Sequence, residues 1–65
     1  MKITQEEYKE FIRNFYQGKY PELRFGQAFF CYLNNNNKIT AMDTELFYCD
    51  DIKTAIKLIT ERYLQ

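Results

Sequence analysis

The side chains that could perform chemistry in this chain of 65 residues are carboxylates, lysines, tyrosines and two cysteines, since it has no histidine. Four carboxylates lie close together in the C-terminal half, at Asp43, Glu45, Asp50 and Asp51. Clustered carboxylate oxygens suit a hard cation, but this spacing differs from that of an EF-hand loop. Helix capping explains Asp50 and Asp51 more simply. We therefore expect no metal site and no cofactor.

The two cysteines do not form a recognisable reactive motif. Cys31 and Cys49 lack the spacing of a CxxC pair, and without histidine they supply neither a zinc quartet nor a Cys–His nucleophile. We expect both to be reduced and to pack as small hydrophobic residues. Acid–base catalysis would need a pocket that excludes water, and so short a chain leaves little volume for one. We predict that the protein is not an enzyme.

Arg24 and Gln27 are polar residues within the most apolar segment of the chain. Three positions apart, they would be neighbours on one face of a helix and are candidates for recognition of a partner. We favour a structural alternative. In it, Arg24 contacts an aromatic ring or the acidic segment, and Gln27 hydrogen-bonds loop carbonyls.

Six tyrosines are too many for the core of so small a domain to bury completely. Tyrosine gives a large contact area with little loss of side-chain freedom, which suits it to protein interfaces. The alternative is that the rings fill the core and only their hydroxyl groups reach water. Tyr16, Tyr20 and Tyr48 lie at predicted helix ends or loops. We predict that they form a partner-binding surface with Arg24 and Gln27.

Helices must position these residues. Thr4 and Glu7 have the spacing of a capping box, so we predict that a first helix begins here. Gly18 suits a position of positive φ after the helix, which should end near Gln17. The apolar residues recur at helical spacing and form one stripe: Tyr8, Phe11, Ile12 and Phe15.

A second, central helix should run from Pro21 to about Leu33, because proline suits the first position of a helix. The segment is apolar around most of its circumference, which is typical of a helix packed on more than one side. Gly26 costs about 1 kcal/mol relative to alanine, which indicates a close helix crossing or a backbone approach that a Cβ would obstruct. The alternative is a loss of helix propensity without such a reason. The run of asparagines at 34–37 should end the helix in an exposed turn.

The segment from Lys38 to Tyr48 should be irregular, with a helical turn near Thr44 to Phe47. Its alternative is a small hairpin that pairs residues 38–42 with 46–49, which would be marginal in water. Asp50 or Asp51 should cap a third helix. Its apolar stripe is Ile52, Ala55, Ile56, Ile59 and Tyr63.

The sequence therefore predicts an all-α fold: one helical domain over residues 1–65, arranged as a small three-helix bundle with an irregular connection between the second and third helices.

Over roughly its C-terminal two thirds the chain resembles small uncharacterised proteins of phages, prophages and bacterial genomes. The resemblance lies in two segments, Leu23-Arg24-Phe25-Gly26-Gln27-Ala28-Phe29 and Glu45-Leu46-Phe47-Tyr48-Cys49-Asp50. The resemblance implies a compact helical fold and a mobile-element origin. Proteins of mobile elements commonly inhibit or modulate a host protein, but the resemblance implies no established activity. The asparagine run departs from the pattern between the two segments.

The formal net charge is zero, with nine basic and nine acidic residues. This balance disfavours a nucleic-acid-associated regulator, which would use Arg13, Lys19 and Arg24, because phosphate neutralisation needs a basic surplus. No stretch could span a bilayer and no signal peptide is evident, so we expect no membrane partner and a cytoplasmic location. We expect a protein-interaction module that binds and occludes a protein partner. The further alternative is a structural homodimer without its own activity.

Overall fold

A computed structural model describes residues 2–38 and 43–64. Within them the chain forms four helices: α1 (Gln5–Tyr16), α2 (Phe25–Asn35), α3 (Thr44–Phe47) and α4 (Ile52–Arg62). The β pairing in this part of the chain is one isolated parallel bridge between Ile3 and Leu64. The predicted all-α class is confirmed. α2 packs against the other three helices, as its apolar circumference predicts, and α3 also contacts α4.

Both ends of α1 lie where the sequence predicts them. The Thr4 hydroxyl accepts a hydrogen bond from the Glu7 N–H (3.1 Å), and the Glu7 carboxylate accepts one from the Thr4 N–H (2.9 Å). Gly18 follows the helix with a φ of 82°. Its N–H donates to the Phe15 carbonyl and the next N–H, of Lys19, donates to that of Asn14, both at 3.1 Å. This is the Schellman arrangement that glycine favours.

The predicted start of the second helix at Pro21 is wrong. Glu22 has a φ of 66°, and the Leu23 N–H donates to the Tyr20 carbonyl at 3.3 Å. Proline followed by a residue of positive φ is the pattern of a type II turn, which cannot continue into an α-helix. α2 therefore begins four residues later, at Phe25, with Arg24 as its N-cap.

α2 ends within the asparagine run, two residues beyond the predicted Leu33. Asn37 has a φ of 59°, and the Lys38 N–H donates to the Leu33 carbonyl at 2.8 Å. All four asparagines are exposed. The predicted exposed turn is confirmed. Its left-handed residue is an asparagine, which tolerates this geometry better than other residues with a Cβ.

The helical turn predicted at Thr44 to Phe47 is confirmed as α3, and Asp51 is the N-cap of α4. The alternative hairpin is not formed on its second side, because Leu46 and Phe47 are helical. Its other side falls largely on residues 39–42, which lie outside the described residues.

Phe11 lies at the centre of the core. Its ring centroid is 5.1 Å from that of Phe25, 5.3 Å from that of Phe29 and 5.6 Å from that of Tyr32. On the predicted stripe of α4, Ala55 and Ile59 are fully buried. The buried core residues are Ile3, Phe11, Phe25, Ala28, Phe29, Tyr32, Leu33, Leu46, Ala55, Leu58, Ile59 and Tyr63.

Candidate functional site

Two of the predicted contact residues project into solvent at helix ends. Tyr16 is the last residue of α1 and is 68% exposed, and Tyr48 is the C-cap of α3 and is 62% exposed. Each ring packs edge-on against the preceding phenylalanine, with centroid distances of 5.5 Å and 5.0 Å. Both aromatic faces therefore have a fixed support and remain accessible. Leu23, which the sequence predicted to be helical, is the third exposed large hydrophobic residue in the described part of the chain.

Tyr20 differs from the other two predicted tyrosines. It lies in the turn before α2 and is half-buried, with its ring 6.0 Å from that of Phe11. Burial raises the pKa of the Tyr20 hydroxyl above its ordinary value. The ring thus belongs to the edge of the core, and only part of it is available to a partner.

Arg24 makes the contact with the acidic segment that the structural alternative predicted. Its Nε lies 2.6 Å from Oδ1 of Asp50, and both side chains are well exposed. Asp50 therefore pairs with α2, while Asp51 caps α4 by accepting from the Thr54 hydroxyl at 2.7 Å and the Lys53 N–H at 3.3 Å. The Thr54 hydroxyl is the main reason that the pKa of Asp51 lies below its ordinary value.

Gln27 has a different role from the predicted contact with loop carbonyls. Its side-chain oxygen accepts a hydrogen bond from the Arg24 backbone N–H at 3.0 Å. This is the backward half of a capping box, in which the third residue of a helix satisfies the N–H of the N-cap. The arginine side chain has no acceptor with which to return the bond.

Gly26 makes the close backbone approach that the sequence predicted. A Cβ atom on Gly26 would lie 2.9 Å from the Leu46 carbonyl carbon and closer still to its oxygen. Leu46 is fully buried. The absence of a side chain at position 26 therefore allows the backbone of α3 to rest directly on α2.

Arg62, at the end of α4, holds the beginning of α3 through two carboxylates. Its guanidinium nitrogens lie 2.6 Å from Asp43 and 2.6 Å from Glu45. Asp43 also caps α3, because its other oxygen accepts from the Leu46 N–H at 3.3 Å. Sequence reasoning missed this contact, since no local pattern connects position 62 with position 43.

α1 makes two polar contacts that the sequence did not predict, one with α2 and one with Lys38, which follows α2. The Tyr32 hydroxyl donates to the Glu10 carboxylate at 2.9 Å, and the Lys38 ammonium lies 3.0 Å from Glu7. Burial, and then the bond to Glu10, raise the pKa of Tyr32 above its ordinary value. The Thr4 N–H and then Lys38 lower the pKa of Glu7.

The cysteines are half-buried and reduced. The Cys49 thiol donates to the Asp51 carbonyl at 3.3 Å, and Cys31 accepts from the Asn35 amide at 3.6 Å. Within residues 2–38 and 43–64, no group of three potential ligands is arranged to hold a metal ion. In the same part of the chain, no helix has the length and apolar character needed to cross a membrane.

Comparison with known proteins gave no match to a family model, to a curated protein or to a solved structure. The two sequence segments 23–29 and 45–50 are in contact with each other. Gly26 rests on Leu46, and Arg24 pairs with Asp50.

Proposed function

We propose that the chain is a non-enzymatic, cytoplasmic interaction module that binds a protein partner and blocks the surface it covers. The observation that carries this proposal is the exposure of Tyr16 and Tyr48, at 68% and 62%. Both rings are braced by a neighbouring phenylalanine. A tyrosine ring that already packs on a neighbouring ring loses little side-chain conformational freedom on binding and contributes a large contact area. Both properties are typical of interface hot spots.

In this proposal α1, α2 and α4 act as a three-helix bundle that carries the contact residues at helix ends. Arg24 and Gln27 contribute at the start of α2, and the exposed part of Tyr20 lies in the turn before it. The resemblance to proteins of phages and prophages supports a mobile-element origin, in which the partner is a protein of the host cell.

A protein partner accounts for this surface better than a nucleic acid does. The chain has no basic surplus that would supply the counterion-release term of nucleic-acid binding.

The test is affinity purification of the tagged chain from lysate of its native cell, at low and high salt, with mass-spectrometric identification of bound proteins. We expect one stoichiometric protein that remains bound at high salt. Tyr16→Ser and Tyr48→Ser should each weaken its binding by at least about tenfold. Both variants should keep the melting temperature of the wild type, because neither ring is buried.

Lys57→Ser is the matched control, since Lys57 is an exposed residue of α4 outside the proposed surface. It should leave partner binding unchanged. Recovery of nucleic acid that is lost at high salt would favour the regulator, and melting that depends on protein concentration without any partner would favour the homodimer. Partner binding that survives both tyrosine substitutions would contradict the proposed surface.

A further inference from the structure

One segment of the chain is bound to the rest much as a peptide ligand is bound to a receptor. This α3 segment comprises residues 43–50. Its central leucine, Leu46, is fully buried, and its backbone rests on Gly26 of α2. The ring of Phe47 packs 6.2 Å from that of Phe30, also on α2. A leucine and an aromatic residue thus anchor the segment on one helix.

Carboxylates on both sides of these anchors form ion pairs with arginines of the surrounding helices. Arg62 of α4 contacts Asp43 and Glu45, and Arg24 at the start of α2 contacts Asp50, each at 2.6 Å. Two of the chain's three arginines are used in this way. The charges of the segment and of the surface that receives it are therefore complementary.

The α3 segment is also suited to leave this surface without global unfolding. A helix of four residues has no stability of its own, because helix nucleation is unfavourable. Glu45 and Asp50 have side chains that are 65% and 81% exposed, so each of their ion pairs contributes little by itself, whereas the Asp43 side chain, at 16%, is more buried. Leu46 is the one buried residue of the segment, and elements with few buried residues open locally at a lower cost than the whole domain.

We propose that the α3 segment is an internal ligand of a binding site formed by α2 and α4, and that the site accepts a segment of a partner protein in its place. The recognised chemistry is that of the α3 segment itself: a leucine followed by an aromatic residue, flanked by carboxylates. Gly26 receives the leucine backbone, and Arg24 and Arg62 receive the charges. The tethered segment competes at high effective concentration and so restricts the site to partners that bind more tightly. The inference goes beyond the proposed function and shares Tyr48 and Arg24 with it, but its peptide test uses the purified chain and does not depend on the partner recovered from lysate.

The test is rescue in trans with a synthetic peptide of residues 43–50 that carries Cys49→Ser to prevent oxidation. The host is the full chain with Leu46→Ala, in which the leucine site is empty. At about five times its Kd, the peptide should raise the melting temperature of this variant by about 5 °C. The control host is Leu33→Ala, which loses a different buried leucine, on α2, and keeps Leu46 in its site. Its melting temperature should not shift when the peptide is added. A peptide with Leu46→Ala should rescue neither host.

A second peptide tests the charges. With Asp43→Asn, Glu45→Gln and Asp50→Asn together, it should bind the Leu46→Ala host at least about tenfold more weakly than the parent peptide. No shift in either host, or equal shifts in both, would overturn the proposal. Dimerisation of the wild-type chain with no binding of the peptide would also overturn the proposal, because a second copy of the chain would then occupy the site.

If the Leu46→Ala chain does not fold, a chain with Asp43→Asn and Glu45→Gln keeps the leucine and removes both ion pairs with Arg62. Peptide binding, followed by fluorescence anisotropy, should be tighter to this variant than to the wild type, because the internal competitor is weaker. Equal affinity for the two chains, or no binding to either, would show that the α3 segment is only part of the core.

Discussion

The contact between α1 and α2 differs in kind from the contact that holds the α3 segment. Around Phe11, three aromatic rings lie with centroids within 5.6 Å, so the first contact consists of buried apolar area. Around Leu46, the second contact depends on a missing side chain at Gly26 and on ion pairs at the surface. The first should be sensitive to lost volume, whereas the second should be sensitive to added volume as well, which makes the comparison testable by substitution.

The largest effect should come from removing the central ring. Phe11→Ala should lower the free energy of unfolding by about 3–5 kcal/mol, because it removes a fully buried phenyl ring and leaves a cavity. Urea unfolding followed by far-UV circular dichroism measures this change. In so small a domain such a loss is a large fraction of the total stability.

Phe47→Ala is the matched control for Phe11→Ala, since Phe47 is a half-buried phenylalanine of α3. It should cost clearly less, because its ring already contacts solvent. Equal costs at the two positions would show that the core is not centred on the contact between α1 and α2.

The next effect should come from adding a single carbon atom to the second contact. Gly26→Ala should cost about 1–2 kcal/mol net, because overpacking outweighs the roughly 1 kcal/mol that alanine gains in helix propensity. The Cβ would meet backbone atoms of Leu46, which cannot rotate away as a side-chain end could. Urea unfolding gives the cost, and amide exchange at Leu46 reports whether the α3 segment loosens first.

Asn34→Ala provides the comparison for propensity alone, because Asn34 is an exposed residue of the same helix. It should be neutral or slightly stabilising. If Gly26→Ala were also stabilising, the glycine would not be required for the approach of α3.

The predictions from sequence succeeded where one local pattern determined the structure. The stripe around Phe11, the capping box at Thr4 and the glycine after α1 each need only neighbours within a few residues. The close approach at Gly26 was also predictable, because a glycine within an apolar helix needs a packing reason. The identity of its neighbour, Leu46, was not predictable, since the two residues lie far apart in the sequence.

The predictions failed or were missing where the structure is determined by residues far apart in the sequence or by the backbone geometry of the next residue. Ile3 is fully buried, and its N–H donates to the Tyr63 carbonyl at 2.7 Å. This hydrogen bond joins the two ends of the described chain. Arg62 reads locally as an ordinary basic residue at a helix end. Pro21 was assigned to a helix start on its own preference, but the left-handed geometry of Glu22 makes it part of a turn. Propensity at one position does not reveal the geometry of the next.

A smaller effect, specific to the first contact, should appear at alkaline pH. The pKa of Tyr32 is raised, so the folded state favours the protonated hydroxyl. The stabilising contribution is therefore fully present below about pH 10, the ordinary value, and is lost as the pH rises towards the folded pKa. Tyr32→Phe should cost about 1 kcal/mol at neutral pH and should flatten the loss of stability above pH 10.

Urea midpoints between pH 7 and pH 11 would measure this difference between Tyr32→Phe and the wild type. Part of the alkaline loss should remain in the variant, because burial also raises the pKa values of Tyr8, Tyr20 and Tyr63. Identical pH profiles for the two proteins would show that neither burial nor the bond to Glu10 raises the pKa of Tyr32.

The smallest effect should arise in the turn that connects the two contacts. Tyr20 packs on Phe11 on one side of this turn, and Arg24 pairs with Asp50 on the other. Glu22 occupies a left-handed conformation with a φ of 66°, which costs a residue with a Cβ about 1 kcal/mol. Glu22→Gly removes that strain but makes the unfolded chain more flexible, so the net gain should be about 0.5 kcal/mol. A gain in the urea midpoint would confirm the turn. A loss comparable to that expected for glycine in a helix would instead return Pro21 and Glu22 to α2.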